Sequence, residues 1–259
     1  MKPFIATAAA VLLVTTAAAA AFSAHADTQT PAQRYFAATA LLDAKLGGDS
    51  EFKLPTDDAE SRQALADIKS AMADFGTPAF PVDGFATFQS VCTPLYKLPS
   101  HYLMAGAPKD GTLSDAQRAS NGDKYQDQMM PLITSGVKCV ALHMPWFTQM
   151  YDQTPEAART PDRMAGIHQM QEGFGQALEG VAEAASADNI HPANALLAMD
   201  TMANYGDAIA GILSVAQRKA LKTKIDLEAP GLAKAYPAQY AAIAKALART
   251  DCTSMCTAP

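Results

Sequence analysis

The chain has 259 residues, with 20 Lys and Arg against 26 Asp and Glu and a formal net charge of −6. That balance disfavours nucleic acid as a partner, because affinity for a duplex comes largely from Lys and Arg neutralising phosphates. The densest basic grouping, Arg218, Lys219, Lys222 and Lys224, reads as a solvated helix face.

The first residues combine Lys2, an apolar stretch from Phe4 to Phe22 and the small-residue triplet Ala24-His25-Ala26. This is the anatomy of a signal peptide cut after Ala26. The other reading is an uncleaved anchor, but the stretch is mostly Ala and Thr, which enter hydrocarbon poorly. The expectation is therefore a leader over 1–26 and one soluble domain over 27–259, released into the periplasm of a Gram-negative bacterium with no stable membrane insertion. The four cysteines, Cys92, Cys139, Cys252 and Cys256, are an even number in an exported chain and predict two disulfides. Three pairings are possible. The apolar contexts of Cys92 and Cys139 favour joining those two, leaving Cys252 and Cys256 to clip the tail.

Apolar residues recur at three and four rather than alternating, so the fold class is all-α, an irregular bundle of about seven or eight helices. Thr30-Pro31 opens the first helix, with Phe36, Leu41, Leu42 and Leu46 on its buried face and Gly47-Gly48 as the stop. The second is expected over 56–75, burying Leu65, Ile68, Met72 and Phe75. Residues 76–114 are rich in Pro and aromatics and read as a wrapping segment of short helices. Ser114 with Gln117 then forms a capping box, and Tyr125, Met129, Leu132 and Ile133 mark the buried face of the helix it starts. Pro131 and Gly136 are expected to bend or break that helix, and Pro145 to kink the apolar segment after them. Thr160-Pro161 opens a long helix burying Met164, Ile167, Phe174, Leu178 and Val181. The next, 192–213, buries Leu196, Met199, Met202, Ile209 and Ile212. Ser214 with Gln217 caps another, and Pro237 opens the last.

Two hexapeptides match, Leu113-Ser114-Asp115-Ala116-Gln117-Arg118 and Leu213-Ser214-Val215-Ala216-Gln217-Arg218. Both are helix starts, and their flanks do not match, so capping chemistry explains them without a duplication. The Leu-Ser-x-x-Gln pattern resembles the Leu-Thr-x-x-Gln motif of small periplasmic stress chaperones of the Spy and CpxP kind, over these two islands only. The resemblance implies a binding function.

No catalytic set stands out. Gly-x-Ser-x-Gly and His-Glu-x-x-His are missing, and Ser50-x-x-Lys53 lacks the companion motifs of penicillin-recognising enzymes. No cofactor is implied: the Cys-x-x-Cys-His haem signature is missing, and Gly173, Gly175 and Gly180 lie in a helix rather than after a strand. Two candidate sites remain. His143, Trp146 and Phe147, beside the expected break at Pro145, together with Tyr102 in the Pro-aromatic segment, are the candidate lining of a groove for a small apolar ligand, a peptide or a protein partner. The competing account, which the aromatic content favours, is an anchor of the core. Met164, His168 and Glu172, four residues apart on one helix face, offer thioether, imidazole and carboxylate to a metal. The competing account is a core Met beside two wet-edge polar residues. A metal- or haem-handling protein, or an enzyme whose site is assembled only by folding, are the alternative functions.

Overall fold

A computed structural model of the chain describes residues 29–47, 53–82, 84–108, 111–228 and 230–258. The leader over 1–26 and Ser50 lie outside them. The described residues are helical, with no strand beyond isolated bridges around Phe75 to Phe80.

Helix α1 spans Pro31–Leu46, and the expected cap is in place: Thr30 Oγ1 accepts from Gln33 N, and Gln33 reaches back to Thr30 N. Its buried face is turned by a residue from the expected one. Tyr35, Ala38, Leu42 and Leu46 are buried, while Phe36 is 40% exposed. The hydroxyl of Tyr35 explains the rotation: it donates to Val91 O at 2.5 Å, and its ring meets Phe75 and Phe80 edge to face. Helix α2, Ala59–Met72, starts three residues later than expected because Asp58 is the side chain that caps it, accepting from Ser61 N. Its stripe of Leu65, Ile68 and Met72, followed by Phe75, is buried as expected.

The Pro-aromatic segment forms α3 (Gly84–Thr87), a π-helical turn (Phe88–Cys92) and α4 (Thr93–Leu103). Helix α5 then runs from Asp115 to Gln153, capped by Ser114 and Gln117. It is not broken at Pro131, Gly136 or Pro145. Its one non-helical residue is Tyr125, at φ −112° and ψ 16°. A proline in a helix interior costs about 3 kcal/mol, a loss that burial on both sides of α5 outweighs. Gly136 serves contact rather than interruption: a Cβ there would lie 3.2 Å from Tyr96 Cζ.

Helices α6 (Pro161–Ser186), α7 (Pro192–Ile212), α8 (Val215–Glu228), α9 (Leu232–Ala235) and α10 (Pro237–Leu247) complete the fold. Leu178 and Val181 of α6 are buried, while Met164, Ile167 and Phe174 are half-buried and packed on the same core. On α7 the expected stripe is buried except Leu196, which is 44% exposed.

Two apolar clusters share α5. The smaller joins Tyr35, Leu42, Ile68, Phe80, Leu95 and Leu132. The larger joins Val140, Met144, Leu178, Met199, Met202 and Ile209. A helix apolar on opposite faces is buried on both, and Phe88 and Ile133 touch both clusters. Cysteines pair as favoured: Cys92 with Cys139 inside the smaller cluster, and Cys252 with Cys256 in the tail. The tail is also held from the body, since buried Gln171 donates through Nε2 to Ile212 O and Met255 O at 2.7 and 3.0 Å. No described helix is long and apolar enough to cross a membrane.

Candidate functional site

The structure brings the Pro-aromatic segment against residues 143–147, as the candidate groove required. The contact is a packed one. Phe88 meets His143 and Phe147 edge-on at 5.3 and 5.2 Å, and Phe85 stacks on Trp146 at 6.4 Å. His143 and Phe147 are buried. A carbonyl can only accept, so the 2.8 Å contact from His143 Nδ1 to Cys139 O fixes the proton on Nδ1. Tyr102 is buried on the far side of α4, tilted against Tyr125, and burial pushes its phenol up to about 12. Of the four, Trp146 alone borders open space, a concavity of about 550 Å³ with Met150, Pro155 and Arg163.

The second candidate set is divided by its environment. Met164 is packed on the larger core, whereas His168 and Glu172 form an exposed pair, Nε2 to Oε1 at 3.2 Å. Among the described residues, the one grouping of three His, Cys, Asp or Glu ligand atoms close enough for a metal is Cys92, Cys139 and His143. Its sulfurs are joined to each other, so it offers no thiolate.

A better-formed groove lies on the other face of the Pro-aromatic segment. Helix α1 packs along α2 and α4 along α5, while α1 and α4 scarcely touch. The Tyr35 to Val91 bond ties α1 to the π-turn, and the space left between the helices is about 600 Å³. Phe36, Leu42, Leu46 and Leu98 supply an apolar floor. Lys97, Asp43 and His101 supply a polar edge. Lys97 Nζ stands 3.9 Å from Asp43 Oδ1, and both side chains are largely exposed, a pairing that holds the ammonium only weakly. Burial lowers the pKa of His101, opposed by a hydrogen bond with the Lys53 backbone. The floor residues Leu42 and Leu46 were legible as an apolar helix face. Leu98 and Lys97 carried no signal, because a groove between helices distant in sequence has no local pattern.

Where α5 departs from helical geometry at Tyr125, a polar network takes over. Buried Gln126 donates to Asp123 O and Asn189 O and accepts from His191 N at 2.6 Å. His191 Nδ1 and Asn194 Nδ2 both donate to Asp127 Oδ1, at 2.8 and 2.7 Å. These bonds, His191 first, hold the Asp127 carboxyl below its ordinary value. A depressed folded pKa gives stability that is present above the unfolded value of about 3.9 and is lost as pH falls through the folded one. Asp127→Asn should therefore flatten the acid limb of stability. Urea unfolding of both proteins between about pH 5 and pH 3 checks this, and parallel curves would refute it.

The fold and its grooves define an all-helical, disulfide-bonded protein with open concavities. Compared with protein-family models, curated proteins and solved structures, the chain matches none.

Proposed function

We propose that the chain is an exported periplasmic binding protein that takes a small amphiphile in the groove between α1 and α4. The observation that carries this reading is the groove's two-sided chemistry, an apolar floor of Phe36, Leu42, Leu46 and Leu98 beneath the polar edge at Lys97. Small-molecule sites are concave and mostly apolar, with a few polar groups that set orientation. Phe36 supports it further, since an aromatic ring left 40% exposed gains by being covered. The export half of the proposal is supported by the signal-like leader and the two disulfides.

The test is calorimetric titration of the purified protein with dodecanoate and with a neutral alcohol of the same chain length. Binding is expected, and Phe36→Asp should weaken it at least about tenfold, because a carboxylate on the floor removes apolar contact and repels an anionic head. Emission from Trp146, the only tryptophan, should stay constant. A Trp146 response would assign the ligand to the concavity beside Pro155 instead. No binding of either amphiphile, or equal binding by Phe36→Asp, would end the proposal.

A further inference from the structure

A further cleft lies where the two apolar clusters meet, bordered by α2, α5 and α7, with a volume of about 370 Å³. Its donors converge from three helices: Lys69 on α2, Ser135 and Lys138 on α5, and Tyr205 on α7. Met72, Pro131 and Leu197 add apolar lining to the same cleft. No carboxylate lines the cleft, in a chain whose acids outnumber its bases.

The two lysines are unlike the paired ones elsewhere. Lys45, Lys97, Lys222 and Lys224 each have a carboxylate within 4.0 Å. Lys138 instead donates to the terminal carbonyls of α2, Met72 O at 3.3 Å and Ala73 O at 3.5 Å. Burial pulls the ammonium of each down from its ordinary value, Lys69 against the more distant pull of Asp127 and Lys138 against that of Asp74. Partly desolvating a cation without a counter-ion is unfavourable, and an anion entering the cleft would relieve both lysines at once. The hydroxyls of Thr134 and Thr201, which also line it, donate to Met130 O and Leu197 O of their own helices. They leave the lysines, Ser135 and Tyr205 as the donors to a ligand.

We infer that this cleft binds a short dicarboxylate, its two carboxylates held by Lys69 and Lys138 and its hydrocarbon middle against Met72, Pro131 and Leu197. The two lysines stand on different helices and line one cleft together with Met72, Pro131 and Leu197, a mixed lining that favours a carbon chain bearing two charges over a compact inorganic dianion. The site is independent of the amphiphile groove.

Calorimetry of the full chain with succinate, glutarate and adipate finds the matching length, with butyrate and inorganic phosphate as comparison arms. At least one dicarboxylate should bind at least about tenfold tighter than butyrate or phosphate, since butyrate meets only one lysine. Lys69→Gln should lose about tenfold, and Lys69→Arg should keep most of the affinity. Lys69 is the decisive position, because Lys138 also supports the end of α2. Lys138→Gln is read beside its circular dichroism, with folded protein and weakened binding expected. No binding of any dicarboxylate, phosphate or butyrate binding as tightly, or Lys69→Gln binding like the parent would each overturn the inference.

Discussion

Replacing Cys92 and Cys139 together by alanine is expected to lower the melting temperature by about 10 °C. The bond spans a sequence separation of 47 residues. Closing a loop of that length removes about 4 kcal/mol of chain entropy from the unfolded state. Both sulfurs are fully buried in the smaller cluster, so the replacement also leaves unfilled volume beside Val91, Leu95 and Leu132. The bond joins the end of the π-turn to the middle of α5, and the smaller cluster has no second covalent tie. The tail bond from Cys252 to Cys256 closes a separation of only four residues, and its loss should cost far less. Thermal melts of the two double variants measure the difference. A Cys92/Cys139 variant melting within about 2 °C of the parent would refute the argument.

Arg218→Ala is expected to cost about 3 kcal/mol in urea unfolding, whereas Arg118→Ala should fall within about 0.5 kcal/mol of the parent. The two arginines close the same hexapeptide pattern. Arg118 is exposed, donating to Leu113 O and pairing with Asp115. Arg218 is fully buried and donates to Ala210 O and to Asp251 O at 2.8 Å, fastening the tail to the ends of α7 and α8. Burial lowers its pKa, with nearby Asp251 and Asp207 acting against that and Arg249 with it. Arginine stays charged regardless, so its removal deletes both tail-fastening bonds and leaves an unfilled space in the interior. Nicking of the tail by protease should rise in Arg218→Ala alone. Equal destabilisation by the two substitutions would show that the tail contact adds nothing.

Much of the fold was legible because helix boundaries are local events. Ser114 with Gln117 and Ser214 with Gln217 form the reciprocal caps their spacing implied, and Thr30 caps α1 as expected, with Gln33 as an unforeseen partner. The stripe on α2 was readable for the same reason. What failed depended on contacts far away in the chain. Phe36 yielded the inward face to Tyr35 because Val91 O, 56 residues on, accepts the tyrosine hydroxyl. Leu196 satisfies the helical period of α7, yet no element covers it. Gly136 and Pro131 were expected to bend or break α5; the helix continues through both, because packing on its two faces outweighs their propensity to interrupt it. Of the candidate site, the meeting of the Pro-aromatic segment with residues 143–147 was foreseeable, and its filling by its own rings follows the core-anchor account rather than the open groove.

By itself the sequence determined an all-helical chain, where most helices start, and a cysteine pairing that apolar context favoured. Capping and periodicity act within about four residues, so they are written in the chain. Tertiary structure decided which apolar faces were covered and which stayed open. It left the groove between α1 and α4, gathered Lys69 and Lys138 into one cleft, and gave two arginines of one motif opposite surroundings. Those outcomes depend on which helices come to lie side by side, and no local pattern encodes that.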